Sequence, residues 1–237
     1  MRLIGNENNF NAVLFDLDGT LVDTAEEICA AINLAMRKRL GASVSVDQVR
    51  NWIGDGTSTT LRRAIAASLD CPVDSSVVVD HAAAIEVEFK AHYLSLCGTK
   101  SRLYDGVDDT LQLLSQADVR MGVVTNKEST FTHPLLASLN IRRFFATVIC
   151  GDMVAHKKPH PAPILQCVEA MRCTIKQSVL IGDSRTDVLT ARNAAIAIWA
   201  VTYGYNQGRP IQDEHPDRVL TDFREIAELL ASRATTA

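Results

Sequence analysis

The sequence predicts an α/β protein built on a doubly wound parallel sheet, with a small all-helical domain inserted after the first strand. Three observations predict this class: short unbroken apolar runs, helical stretches between them, and a region near the N-terminus that contains helical patterns only. Unbroken apolar runs are typical of strands covered on both faces. Strands that alternate with helices favour a parallel sheet.

The apolar runs that we predict to be strands are Ala12–Phe15, Met121–Val124, Thr147–Cys150, Val179–Ile181 and Ile196–Val201. The helices between them are predicted at residues 107–117, 128–139, 161–172 and 185–195. Ligand sites in such sheets lie beyond the carboxyl ends of the strands. The residues that follow each run are therefore the candidates for chemistry.

Residues 24–96 interrupt this alternation, and we predict helices there at 24–40, 46–52, 58–69 and 75–96. One face of the last helix is apolar, because apolar residues recur along it at helical spacing. An insert of this length is too long for a crossover. We therefore interpret residues 1–22 and 97–237 as a core domain and residues 23–96 as a second domain. Four helices that simply pack on the sheet remain an alternative, which periodicity alone does not exclude.

The composition is that of a globular protein, with 47% hydrophobic and 22% charged residues in a chain of 237. A net charge of −4 without a basic run disfavours nucleic-acid binding. No apolar stretch is long enough to span a membrane, and the polar first residues, which resemble an extra leader, do not form a signal peptide. The six cysteines lack paired spacing, so we expect free thiols in a reducing cytoplasm.

Two aspartates follow the first predicted strand, in the run Asp16-Leu17-Asp18-Gly19-Thr20. Because side chains alternate along a strand, Asp16 and Asp18 leave the strand end on the same side. Two close carboxylates resist joint ionisation unless a cation lies between them or one of them holds a proton. Such a pair can act as a nucleophile and a general acid/base. Chance occurrence of D-x-D-G-T at a strand end is rare.

The other strand ends carry groups that suit phosphate and a cation. Thr125 and Asn126 precede a helix, where a hydroxyl and backbone N–H groups form an anion site, although both residues are also ordinary N-caps. Lys158 is held beside a proline and can neutralise phosphate or a carboxylate pair, although a surface basic turn would look the same. Asp183 and Asp187 suit Mg²⁺, although an acidic first helical turn is common.

Taken together, the four loops supply complementary parts of one reaction. They fall at the same edge of one predicted sheet and provide a nucleophile, an acid/base, phosphate-binding donors, a lysine and a cation site. This combination predicts phosphoryl transfer through an aspartyl intermediate.

The four segments resemble the haloacid dehalogenase superfamily of phosphatases in order and spacing, across essentially the whole chain. Within it the chain is most similar to bacterial phosphoglycolate phosphatases. The likeness rests on Trp52-Ile53-Gly54-Asp55-Gly56, on Gly182-Asp183-Ser184-Arg185-Thr186-Asp187, and on Thr202-Tyr203-Gly204-Tyr205-Asn206. The resemblance implies a helical cap over the site.

The resemblance also implies roles for individual residues. Asp16 is expected to be the nucleophile and Asp18 the acid/base, with Thr125 and Lys158 as further catalytic residues. Mg²⁺ is expected as the cofactor, held by Asp16, the Asp18 carbonyl and Asp183.

Three residues are expected to contact phosphate, and two more to orient their neighbours. Thr125, Asn126 and Lys158 are the implied phosphate-binding residues. Asp187 and Thr20 are the implied orienting residues.

The cap is expected to set the choice of substrate, a small phosphomonoester. The backbone N–H groups of Gly54, Asp55 and Gly56 can meet a substrate carboxylate, which favours 2-phosphoglycolate. Arg62 and Arg63 follow on the next helix, although arginines on a helix surface are more often solvated. A related hydrolase or mutase acting on pyrophosphate, a sugar phosphate or a nucleotide is the alternative, and a non-catalytic interaction protein is a remote one. Either a monomer or a homodimer is compatible with the sequence.

Overall fold

The structure is a computed structural model that describes residues 10–231. Most of the predicted leader and the last six residues of the predicted core domain lie outside the described residues. The strands are β1 Ala12–Phe15, β2 Val22–Asp23, β3 Arg102–Leu103, β4 Arg120–Val124, β5 Thr147–Ile149, β6 Ser178–Gly182, β7 Ala197–Val201 and β8 Arg218–Leu220. The helices are α1 Ala25–Leu40, α2 Val46–Arg50, α3 Thr57–Leu69, α4 Ser76–Leu96, α5 Val107–Gln116, α6 Ser129–Ser138, α7 Ala162–Ala170, α8 Arg185–Ala194 and α9 Glu225–Ala231.

Six strands form one parallel sheet in the order β5-β4-β1-β6-β7-β8, which confirms the predicted fold class. Every predicted strand and helix is present, with ends that differ by at most two residues. The elements that were not predicted are β8, α9 and the short antiparallel pair β2–β3. β2 and β3 have only two residues each, and β8 begins with a charged residue, so none of them forms a recognisable apolar run.

The register of the central strands brings the candidate loops together. Phe15, the last residue of β1, is paired with Val123 on β4 and with Ile181 on β6. Buried apolar clusters cover both faces of the sheet, so both faces of the central strand β1 carry apolar side chains. The loops after β1, β4 and β6 therefore leave the sheet at one edge.

The helices α1–α4, here called the helical insert, pack around an apolar cluster of their own. Ile32, Leu61 and Ile85 are fully or almost fully buried in it. Phe131 of α6 joins the same cluster, with its ring centroid 4.7 Å from that of Tyr93. The insert therefore has its own core and also packs on the rest of the molecule. No helix of the described residues is long and apolar enough to cross a membrane.

A buried carboxylate ties the chain segment that leaves the insert to the helix that begins it. Glu27 on α1 is completely buried. Its two oxygens accept the backbone N–H groups of Gly98, Lys100 and Ser101 at 2.9–3.1 Å. Three otherwise unpaired backbone donors are thereby satisfied between α4 and β3.

We expect Glu27→Gln to destabilise the fold by about 2 kcal/mol or more, because a glutamine can accept at only one of the two oxygen positions and buried donors are left unpaired. The measurement is the free energy of unfolding from urea denaturation. Glu26→Gln is the matched control: Glu26 pairs with Lys100 at the surface, where water screens the pair, so its midpoint should stay nearly unchanged. Equal losses in both variants would contradict the assignment.

Candidate active site

A buried lysine connects the ends of three central strands. Lys158 Nζ lies 2.6 Å from Asp16 Oδ1, 2.7 Å from Asp187 Oδ1 and 3.0 Å from the carbonyl oxygen of Val124. Lys158, Asp16 and Asp187 are all buried. The three N–H bonds of the ammonium group are thus matched by three acceptors. Lys158 therefore holds the loop after β1, the end of β4 and the start of α8 together.

Three carboxylates meet at this edge of the sheet. Oxygens of Asp16, Asp183 and Asp187 all lie within 4.8 Å of one another. Asp183 accepts the Thr20 hydroxyl at 2.7 Å and the Tyr205 backbone N–H at 2.5 Å.

Asp187 is the most fully hydrogen-bonded of the three carboxylates. Its Oδ1 accepts from Lys158, and its Oδ2 accepts from the hydroxyl and backbone N–H of Ser184 and from the backbone N–H of Asp183. Both of its oxygens therefore already have donors. Asp187 thereby links Lys158 to the backbone that follows β6.

The electrostatics of this cluster favour a divalent cation. Burial raises the pKa of Asp16 to about 7, although the attraction of Lys158 opposes the shift. Burial, together with repulsion from Asp187 and Asp16, raises the pKa of Asp183. Three carboxylates face one ammonium group, so negative charge is left uncompensated. Hard oxygen ligands at this spacing fit Mg²⁺.

Two glycines allow the backbone to pack directly on Asp183. A Cβ atom on Gly19 would lie 2.3 Å from Asp183 Oδ2, and one on Gly204 would lie 2.2 Å from Asp183 Cβ. Gly19 also has a φ of +94°, a conformation that residues with a side chain rarely adopt. The glycine of the D-x-D-G-T run is therefore required by the close approach of the β6 loop.

Asp18 lies beside a lysine that the sequence analysis did not select. Asp18 Oδ1 accepts the Thr24 hydroxyl at 2.6 Å and Lys127 Nζ at 2.9 Å. Lys127 is buried, and its ammonium group lies over the Tyr93 ring, 4.8 Å from the centroid. Burial lowers the pKa of Lys127, but the attraction of the Asp18 carboxylate outweighs this effect and the net shift is upward. One feature of the sequence could have identified Lys127: it directly follows Thr125 and Asn126, the predicted anion site, in the loop after β4.

Thr125 and Asn126 are buried in the same loop. Asn126 Nδ2 donates to the carbonyl oxygens of Lys158 and Gly54, at 3.1 and 3.0 Å. Asn126 Oδ1 is buried and has no hydrogen-bond partner among the described residues. The two predicted phosphate-binding residues thus lie beside Lys158, as expected from the strand order.

A cavity of about 40 Å³ lies between this sheet edge and the helical insert. Its core side is polar and is lined by Asp16, Asp18, Thr125, Asn126 and Lys127. Its insert side is mainly apolar and is lined by Ile28, Ile32, Ile53, Gly54, Gly56, Thr57, Thr60, Leu61, Phe89 and Tyr93. The insert therefore covers the candidate chemistry with a largely apolar surface.

The loop of Gly54, Asp55 and Gly56 contacts the core, and both glycines line the cavity. The Asp55 side chain does not: its oxygens accept from Arg63 at 2.6 Å and from Thr186 at 3.0 Å. Arg63 is thereby engaged within the insert. Arg62 donates to the Val73 carbonyl oxygen at the surface and is not in the cavity lining. The structure therefore brings the two glycines to the site and leaves both arginines outside the cavity.

Tyr205 connects the acidic cluster to the start of the insert. Its backbone N–H donates to Asp183, while its hydroxyl accepts the N–H groups of Thr24 and Ala25 at 3.0 and 3.1 Å and contacts Asp23. From the sequence, the Thr202–Asn206 run supported only the family resemblance. In the structure, Tyr205 of this run joins Asp183 to the N-terminus of α1.

The fold is that of an α/β protein with a parallel sheet, and its acidic cluster lies at the edge where such proteins bind ligands. The family model of haloacid dehalogenase-like hydrolases matches residues 13–201, and the chain belongs to this family. It is 36% identical over 225 residues to a phosphoglycolate phosphatase of Pseudomonas putida, covering 94% of this chain and 80% of the relative. A phosphoglycolate phosphatase of Colwellia psychrerythraea is 37% identical, with 90% and 94% covered.

A solved structure shows the same architecture. The crystal structure of a protein described as a predicted phosphoglycolate phosphatase from Haemophilus somnus superposes with a TM-score of 0.85 at 30% identity, covering 94% of this chain and 99% of that one. The family resemblance stated from the sequence motifs is confirmed.

We expect Gly19→Ala to be more destabilising than Gly41→Ala. Gly41 has a φ of +61° with no atom near a built Cβ, so its substitution costs about 1–2 kcal/mol of backbone strain. At Gly19 the contact with Asp183 adds about 1–3 kcal/mol. Urea denaturation measures both values. The same stability loss in the two variants would contradict the close packing of Gly19 on Asp183.

Proposed function

We propose that the protein is a Mg²⁺-dependent phosphatase that hydrolyses 2-phosphoglycolate to glycolate and phosphate through a phosphorylated Asp16. The observation that carries the proposal is the position of Asp16. It is buried at the end of the central strand, 2.6 Å from the Lys158 ammonium group, and lines the cavity beside Asp18. The names of the relatives in Pseudomonas putida and Colwellia psychrerythraea support phosphoglycolate as the substrate.

The residues that would hold Mg²⁺ are Asp16 and Asp183 through their carboxylates and Asp18 through its carbonyl oxygen. Bound Mg²⁺ supplies positive charge that offsets the charge of the phosphoryl oxygens and of the carboxylates. Thr20 holds Asp183 by a 2.7 Å hydrogen bond, and Asp187 holds Lys158. Both residues therefore orient the groups that touch metal or substrate.

In the first step a carboxylate oxygen of Asp16 attacks the phosphorus, and the ester P–O bond breaks. Asp18 acts as the general acid and gives a proton to the leaving alkoxide. In the second step Asp18 takes a proton from water. The hydroxide attacks the phosphorus of the aspartyl phosphate, the bond to Asp16 breaks, and inorganic phosphate leaves with Asp16 regenerated.

Thr125, Asn126 and Lys158 are the groups that we propose for the phosphate. Thr125 and Asn126 line the cavity and precede α6. All three N–H bonds of Lys158 are already directed at protein oxygens, so we assign its contribution to its charge and to the orientation of Asp16. The buried Lys158 charge favours the ionised nucleophile.

We further propose that residues 23–96 act as a cap and residues 1–22 and 97–237 as the catalytic core. The apolar cluster of the insert and the cavity beneath it support this division. All six cysteines are free, which supports the cytoplasmic location expected from the sequence. Monomer and homodimer remain the two expected assemblies.

Mg²⁺ should raise the thermal unfolding midpoint of the protein, because a ligand that binds only the folded state stabilises it. We expect Asp183→Asn to lose most of this rise, since it removes one of the two metal-binding carboxylates. Asp74→Asn, which neutralises an exposed carboxylate of the insert, is the control and should keep the full rise. If Asp183→Asn responds to Mg²⁺ like the parent protein, the assigned metal site is wrong.

The purified protein should hydrolyse 2-phosphoglycolate with a kcat/KM at least about tenfold above the values for ethyl phosphate and glucose 6-phosphate. The reason is that a buried donor left unpaired by a neutral analogue costs about 1–3 kcal/mol.

Asp16→Asn should lower turnover by about four powers of ten or more. Phosphate release measures both. A preference for a sugar phosphate or pyrophosphate would refute the assignment of the substrate but not the assignment as a phosphatase. Ordinary turnover by folded Asp16→Asn would refute the proposed mechanism.

A further inference from the structure

The cavity contains a positive charge that the proposed reaction does not use. Lys127 follows the phosphate-binding residues Thr125 and Asn126, lines the cavity and has a side chain that is only 5% exposed. Within the described residues it is the only lysine, arginine or histidine in the cavity lining. Asp18 Oδ1 accepts one of the three N–H bonds of its ammonium group, at 2.9 Å, so the group can also donate to a ligand in the cavity.

The other cations near the site are already engaged. Lys158 directs its three N–H bonds at protein oxygens. Lys157 donates to the Asp55 carbonyl oxygen at 2.6 Å. Arg63 donates to the Asp55 carboxylate and to the Trp52 carbonyl oxygen. Lys127 is therefore the cation in this part of the chain that can meet a charged group of a ligand inside the cavity.

The hydroxyl groups on the insert side of the cavity are also committed. Thr57 donates to Glu128 at 2.6 Å, and Thr60 donates to the carbonyl oxygens of Trp52 and Gly56. The Tyr93 hydroxyl differs, because it is buried in the cavity lining without a hydrogen-bond partner among the described residues. Lys127 lies over the ring of this same tyrosine. A free hydroxyl donor and a cation therefore lie side by side.

Lys127 is also close to the place where the ester bond breaks. As the proton donor to the leaving oxygen, Asp18 must lie within hydrogen-bond distance of that oxygen. Lys127 Nζ is 2.9 Å from Asp18 Oδ1. In 2-phosphoglycolate one methylene group separates the leaving oxygen from the carboxylate. A carboxylate at that spacing falls within reach of the Lys127 ammonium group.

We propose that Lys127, with the hydroxyl of Tyr93, binds the carboxylate of the substrate and thereby selects phosphate esters that carry a carboxylate one carbon from the ester oxygen. The inference rests on the proposed function and makes it more specific. It assigns carboxylate recognition to the core loop after β4, beside the acid/base. The loop of Gly54, Asp55 and Gly56 then closes the cavity, with the Asp55 carboxylate held by Arg63 and Thr186.

The test compares kcat/KM for 2-phosphoglycolate with kcat/KM for ethyl phosphate, in which a methyl group replaces the carboxylate. Lys127→Met keeps the length of the side chain and removes its charge. The ratio of the two values should fall about tenfold to a hundredfold, the range expected for loss of a charged hydrogen bond. Lys90→Met removes an exposed charge of α4 outside the cavity lining, and its ratio should match that of the parent protein.

Tyr93→Phe is the second variant, because it keeps the ring that packs against Phe89 and Phe131. We expect a smaller fall of the same ratio, about tenfold, with ethyl phosphate turnover retained. This variant keeps the proposal testable if Lys127→Met does not fold.

The outcomes separate the inference from the proposed function. A parent protein without preference for 2-phosphoglycolate over ethyl phosphate refutes the proposed substrate and the inference together. A parent protein with that preference, which Lys127→Met and Tyr93→Phe both retain, refutes the inference alone. Equal losses of kcat/KM on both esters in Lys127→Met would show that Lys127 only positions Asp18, which also overturns carboxylate recognition.

Discussion

The buried ammonium group of Lys158 is the interaction on which the candidate site depends. It lies between the carboxylates of Asp16 and Asp187 and also bonds to the end of β4. Buried carboxylates are strongly disfavoured without a positive partner, and removal of one partner leaves an uncompensated charge. Lys158 therefore allows three loops from different strands to converge. Since burial still raises the pKa of Asp16 to about 7, the cluster is left short of positive charge, as a metal site would be.

The loops that carry the candidate chemistry also hold the helical insert in place. Asn126 donates to Gly54, Thr57 donates to Glu128, and Tyr205 connects Asp183 to the start of α1. The same side chains therefore hold the insert over the cavity and fix the positions of the polar groups beneath it. A change in one of these loops is expected to affect both the cover and the floor of the site, because the contacts are shared.

The division between the two sides of the cavity follows from chemistry. The sheet edge provides charged and hydrogen-bonding groups, while α1, α3 and α4 provide mostly apolar side chains. An apolar cover excludes water from the reacting groups and strengthens the electrostatic interactions beneath it. Because this cover is apolar, the few polar groups near Asp18 have a large effect on which ligand fits. Lys127 and Tyr93 are the most important of these groups.

Much of the fold and of the candidate site could be predicted from the sequence alone. Apolar runs and helical periodicity predicted the sheet, the helices and the insert, and the strand order implied that Asp16, Thr125, Lys158 and Asp183 would meet, because parallel strands end at a common edge. Only the tertiary structure decided which polar side chains turn inward. No role was predicted for Lys127, and Tyr205 was used only for the family likeness, although both are buried, while Arg62 lies at the surface. Side-chain direction and the pairing of buried charges depend on contacts between segments far apart in the chain, and local patterns do not encode them.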